Sequence, residues 1–81
     1  MRIDKFLKVA RVVKKRSIAK VLADNDKIMI NGKICKPSAT IEVGDIIDLA
    51  FGQRHFKIRV SNLLINPKKV EAETMYEVIE Q

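Results

Sequence analysis

The sequence predicts an α+β fold, with two or three short helices packed on a small, mostly antiparallel sheet. Three observations carry this. Apolar residues at the start of the chain recur at helical spacing, residues 27–36 read as two short apolar runs joined by Asn-Gly, and residues 56–60 alternate strictly between apolar and polar.

Taken in order, Ile3, Phe6, Leu7 and Ala10 form one helical stripe, while Arg2, Lys5, Lys8 and Arg11 recur every three residues, mainly on the other side. Asp4 is expected in the first turn, where a negative charge complements the helix dipole. Arg2 and Lys5 are expected one turn apart on this helix. After Val12 and Val13 the pattern breaks at Lys14-Lys15-Arg16. Ser17 is then expected to cap a second helix over about Ile18–Ala23, with Ile18, Val21 and Leu22 turned to the core. Asp24-Asn25-Asp26 ends that helix with residues that tolerate turn conformations. Lys27–Ile30 and Lys33–Lys36 around Asn31-Gly32 read as a hairpin with a two-residue turn.

Gly44-Asp45 marks a tight turn before a strand through Ile46, Ile47, Leu49 and Phe51, and Phe56–Val60 reads as a half-buried strand. Pro67 suits the first position of a helical turn reaching Ala72. Met75–Ile79 is expected to add an edge strand. No linker, repeat or low-complexity tract divides the chain, so a single domain over 1–81 is expected.

Charge is distributed unevenly. Residues 1–36 hold eleven Lys/Arg against three acids, a net +8, and residues 37–81 hold five against seven, a net −2. No acid falls between Lys5 and Val21. Three adjacent cations at a helix entrance must face solvent or a polyanion, because burial would strip their hydration. The asymmetry points to phosphate, and hence to nucleic acid. Lys27, Lys33 and Lys36 flank the hairpin and extend the basic surface, positioning a backbone and not reading bases.

Other functions find little support. The lone Cys35 is expected to be a small buried strand residue, and with the lone His55, expected on an exposed turn, it makes no metal-ligand set. Asp45 and Asp48 read as solvated acids. No triad, Gly-rich phosphate loop or metal spacing is present, so neither catalytic nor metal residues are expected, and no cofactor. One Tyr, three Phe and no Trp leave little for an aromatic platform. No apolar run reaches the ~20 residues of a membrane span. A cytoplasmic protein without a membrane partner is expected. A DNA-reading helix would want an Asn, Gln and Arg array that neither basic helix offers, and a protein-binding role would fall to the acidic C-terminal half.

Several motifs carry a family resemblance: Arg-Ile-Asp-Lys-Phe-Leu at Arg2–Leu7, the basic run with Ser-Ile-Ala ending at Ala19, Ile-Asn-Gly at 30–32, Lys-Pro-Ser at 36–38 and Val-Gly-Asp at 43–45. Their order and spacing resemble the S-four-type RNA-binding domain, with the core motif over about 1–50 and C-terminal strands and a short helix over 51–81. Within that family the chain is similar to the heat-shock-fifteen-like branch. Phe51-Gly52-Gln53, Met75-Tyr76 and the acidic ending at Glu71, Glu73, Glu77 and Glu80 place the likeness nearest the RqcP group.

The resemblance implies a non-enzymatic factor of bacterial ribosome quality control, monomeric when free. It would bind large-subunit ribosomal RNA on the large ribosomal subunit, together with peptidyl-tRNA. It would assist RqcH in alanine tailing of stalled chains. A heat-shock-fifteen-like rescue of dissociated large subunits, or general binding of structured RNA, are the alternatives. RNA contact is expected from Arg2, Lys5, Lys8, Arg11, Lys14, Lys15, Arg16, Ser17 and Lys20, with Lys33 and Lys36 alongside. Arg16 leads, since a guanidinium beside the Ser17 helix entrance can grip phosphate through two parallel bonds where a lysine cannot. Its removal is expected to weaken binding with folding intact.

Overall fold

The computed structural model describes residues 1–80 and holds three helices against a five-stranded sheet. Helix α1 (Ile3–Val9) and helix α2 (Arg16–Asp24) precede strands β1 (Ile28–Ile30), β2 (Lys33–Ile34), β3 (Ile46–Phe51) and β4 (Arg54–Val60). Helix α3 (Lys69–Ala72) and strand β5 (Tyr76–Glu80) complete the order. The strands lie β2-β1-β3-β4-β5 with every neighbouring pair antiparallel, so β5 is the edge strand the sequence predicts.

Each turn has a local cause. Asn31 and Gly32 take φ of 51° and 84°, both left-handed, as a hairpin turn matching the twist of its strands requires. Gly52, with φ of 62°, opens the two-residue connection between Phe51 and Arg54. The Asn31 side chain then ties two turns together. Its Nδ2 donates to Asp45 Oδ1 at 3.1 Å, and its Oδ1 accepts from the Ile46 amide at 2.9 Å. Asp45 also accepts the Glu42 amide at 2.8 Å, so it is a structural acceptor and not the solvated acid expected.

Ile3, Phe6 and Leu7 of α1 and Ala19 and Ala23 of α2 meet Ile28, Ile47, Leu49, Ile58 and Val60 of the sheet in one buried cluster, closed by Val13, Ile41 and Met75. Helix α1 therefore buries its apolar stripe in this cluster and leaves Lys8 on its outer side to solvent.

Several expectations are corrected. Helix α2 begins at Arg16, with extended Lys15 as its N-cap, so Ser17 lies inside the first turn and caps nothing. Val21 is 60% exposed, because α2 buries its alanines and presents Val21 beside the β3–β4 hairpin, not under it. Pro67 stands two residues ahead of α3, whose start is set by Glu71 Oε1 accepting the Lys68 amide at 2.8 Å. His55 lies in β4 and not on a turn. Asp48 is buried, with its carboxylate 3.6 Å from His55 Nε2 and 3.9 Å from Lys57 Nζ. Cys35 is half-buried just past β2, and burial pushes its thiol pKa up.

Candidate nucleic-acid interface

The first four amides of a helix need acceptors from outside its own ladder. In α1 the segment 37–41, which begins in a turn at Pro37-Ser38, supplies two: Ile3 N–H donates to Ala39 O at 2.7 Å and Asp4 N–H to Pro37 O at 3.3 Å. Asp4 Oδ1 takes the Lys5 amide at 2.8 Å, and Arg2 O takes that of Phe6 at 3.0 Å. The Lys36-Pro37-Ser38 motif is thereby the seat of the first helix, and it holds Lys36 beside the helix start. Arg2 is not on α1 but caps it in an extended conformation, bridged to Thr40.

Asp4 itself is fully buried. Arg2 donates Nε to its Oδ1 at 3.2 Å and Nη2 to its Oδ2 at 3.1 Å, while Arg16 Nη2 reaches Oδ1 at 3.2 Å. One carboxylate thus orients two guanidiniums from two elements, and both remain partly exposed, at 47% and 41% of their side chains. Burial pushes the Asp4 pKa up. The hydrogen bonds from Arg16 and the Lys5 amide, the Arg16 charge and the Arg2 bond more than offset it, so the net shift is below the usual 3.8. Arg16 Nε is buried without a hydrogen-bond partner. Part of the Arg16 fork is thus committed to Asp4, a partner that the sequence reading did not assign to it.

Between the helices, α1 ends in a Schellman motif, with Val12 N–H bonded to Leu7 O at 2.9 Å and Arg11 N–H to Lys8 O at 3.0 Å. The position that normally takes glycine is Arg11, at φ of 61°. The turn brings Lys8, Arg11 and Lys14 around a hollow of about 340 Å³ whose far wall is Asn66 and Pro67. Nothing in the spacing of Asn66 and Pro67 announces them, since the contact is made by the loop between β4 and α3.

Lys14 and Lys15 are exposed just ahead of α2, and Lys20 is exposed along it. No acid of α2 lies in its own first turn, so Lys14 and Lys15 stand at the positive end of its dipole, where Asp4 offsets Arg16 from another helix. Lys5 is half-buried, Ser17 is exposed, and Lys33 sits on the exposed edge strand β2, apart from the helix junction. Among the described residues, Lys5, Lys8, Arg11, Lys14, Lys15, Lys20, Lys33 and Lys36 have no carboxylate partner. The arrangement is a solvent-facing set of point charges with two pre-oriented guanidiniums at one side, suited to several phosphates of one backbone. No group of three or more His, Cys, Asp or Glu able to hold a metal occurs among the described residues, and no helix is long and apolar enough to cross a membrane.

Known proteins resemble this chain in sequence and in fold. The model of the S4 domain matches residues 1–47. A Bacillus subtilis protein named RQC P-site tRNA stabilizing factor is 42% identical over the whole of this chain and 94% of its own length. A heat shock protein 15 homolog of Haemophilus influenzae is 33% identical over 99% of this chain and 62% of its own. The solved trimeric structure of Vibrio cholerae heat shock protein 15 superposes with a TM-score of 0.88 at 32% identity, covering 96% of this chain and 80% of that one.

Proposed function

This chain belongs to the S4 domain family, alongside the RQC P-site tRNA stabilizing factors, and from that premise we propose that it is a non-enzymatic RNA-binding factor of ribosome quality control. It acts in the cytoplasm on the large ribosomal subunit, holding ribosomal RNA and the P-site tRNA together while RqcH extends the stalled chain with alanine. The whole chain works as one RNA-binding unit.

The observation that carries the reading is the convergence of Lys8, Arg11 and Lys14 on one hollow at the end of α1, with Arg2 and Arg16 oriented by a single buried carboxylate at its start. Lysines supply affinity, the guanidiniums supply register, and the fit to an RNA junction supplies selectivity by shape. Lys15, Ser17 and Lys20 follow the backbone along α2, Lys5 along α1, and Lys33 and Lys36 extend the track.

Rescue of dissociated large subunits, as a heat-shock-fifteen-like factor, is the second reading, kept because the chain is 32% identical to a heat shock protein 15 over 96% of its length. Two measurements separate them. The protein is expected to co-sediment with large subunits, and the double variant Lys8→Ala, Lys14→Ala, which touches no ion pair, is expected to remain in the supernatant. Deleting the protein is expected to abolish alanine tailing of stalled chains. Wild-type sedimentation of the variant would refute the basic face, and unchanged tailing would transfer the protein to the second reading.

A further inference from the structure

Two shallow hollows lie outside the phosphate-facing charges and share one wall, the ring of Phe51. The first, about 280 Å³, is lined by Ser17, Ile18, Val21 and Leu22 of α2 with Phe51 and Gly52 of the hairpin tip. The second, about 130 Å³, is lined by Val12, Val13, Leu49, Arg54 and Phe56 on the other flank. Phe51 is 41% exposed and Val21 60%. An aromatic ring with free space on two flanks adds little to the core, and its exposure carries a hydration cost.

What the hollows border identifies the occupant. In the chain, Lys14, Lys15 and Arg16 lie between Val12-Val13, which line one hollow, and Ser17-Ile18, which line the other. Among the described residues, the only charged side chain in either lining is Arg54, whose guanidinium lies 4.8 Å over the Phe56 ring. Ser17 is exposed and lines the first hollow, the one hydroxyl-bearing residue in that lining. An unpaired base offers an apolar face for Phe51 and Val21, a polar edge for the Ser17 hydroxyl, and a phosphate that falls among the cations.

We propose that the groove between α2 and the β3–β4 hairpin binds one unpaired nucleobase of the RNA held by the basic face, stacked on Phe51. The inference rests on the RNA-binding reading above and adds a base-recognising element to it. The basic face alone grips any suitably shaped backbone. A pocket for a splayed base selects RNA that has one to offer.

The test uses two RNA hairpins, one with a single bulged 2-aminopurine and one fully paired. The full-length protein is expected to quench 2-aminopurine emission and to bind the bulged hairpin the more tightly. Phe51→Ala is expected to abolish the quench and weaken binding of the bulged hairpin by about five-fold or more, leaving the paired hairpin and the salt dependence unchanged. Val21→Ala, at a position too exposed to upset folding, is expected to act in the same direction, and Phe51→Tyr to retain binding. Equal wild-type affinity for both hairpins, or wild-type behaviour of Phe51→Ala, overturns the pocket and assigns the groove to a protein partner. Those outcomes leave the basic face standing, which falls only if Lys8→Ala, Lys14→Ala also binds subunits normally.

Discussion

Asp4 is the residue on which the basic face depends. A carboxylate with no exposure holds Arg2 and Arg16 in place, and its own charge is stabilised by them. Asp4→Asn keeps the shape but removes the charge, and is expected to cost about 1 to 2 kcal/mol in denaturant unfolding, the exposed arginine heads limiting the loss. Because the folded pKa lies below 3.8, the contribution is fully present above that value and is lost as pH falls through the folded pKa. The variant is therefore expected to lose less stability than wild type on acidification below pH 3.8. Arg11 makes the opposite bargain. A left-handed φ of 61° suits glycine, so Arg11→Gly is expected to stabilise the fold by about 1 kcal/mol while reducing the slope of log affinity against log salt by roughly one contact. Calorimetry and a salt titration of RNA binding check the two halves.

At the scale of elements, the Asn31-Gly32 turn does more than reverse the chain. Asn31→Ala removes both bonds to the 45–46 turn and places a Cβ-bearing residue without local hydrogen bonding at φ of 51°. A loss of about 2 kcal/mol is expected in thermal or chemical unfolding, with RNA affinity unchanged where the fold persists. Strands, hairpin and the apolar stripe of α1 were legible in the sequence because period and turn chemistry are local. The role of Asp4 was not read, although it falls three residues before Leu7 and so within the stripe, a position where an acid needs a partner. Its second partner, Arg16, comes from another helix, and helix crossing is not written in either segment. The start of α2 differs from the expected one because no side chain caps it: extended Lys15 precedes Arg16, and Ser17 already lies in the first turn.

At the scale of the molecule, the two signs of charge have separate duties. Of the acids near the C-terminus, Glu71 fixes the start of α3 and Glu77 pairs with Arg59 across β4–β5 at 3.1 Å. The unpaired cations gather on the helices and the hairpin. With five or six of them meeting phosphate, log affinity for large subunits is expected to fall against log salt with a slope of roughly −4 to −5. A slope near zero would show that the face does not meet the backbone.

The seating of α1 on segment 37–41 has a kinetic consequence. The first turn of α1 closes locally through Phe6 N–H to Arg2 O, but the amides of Ile3 and Asp4 wait for the carbonyls of Ala39 and Pro37, so the start of the helix is fully paired only when the chain has returned. The chain between them must loop back first, a non-local step that slows folding and couples the helix to the hairpin it encloses. During synthesis, Arg2 and Asp4 leave the ribosome early, yet they take their places only after residue 41 has followed. A truncated product of this chain therefore presents its positive charges without the geometry that organises them.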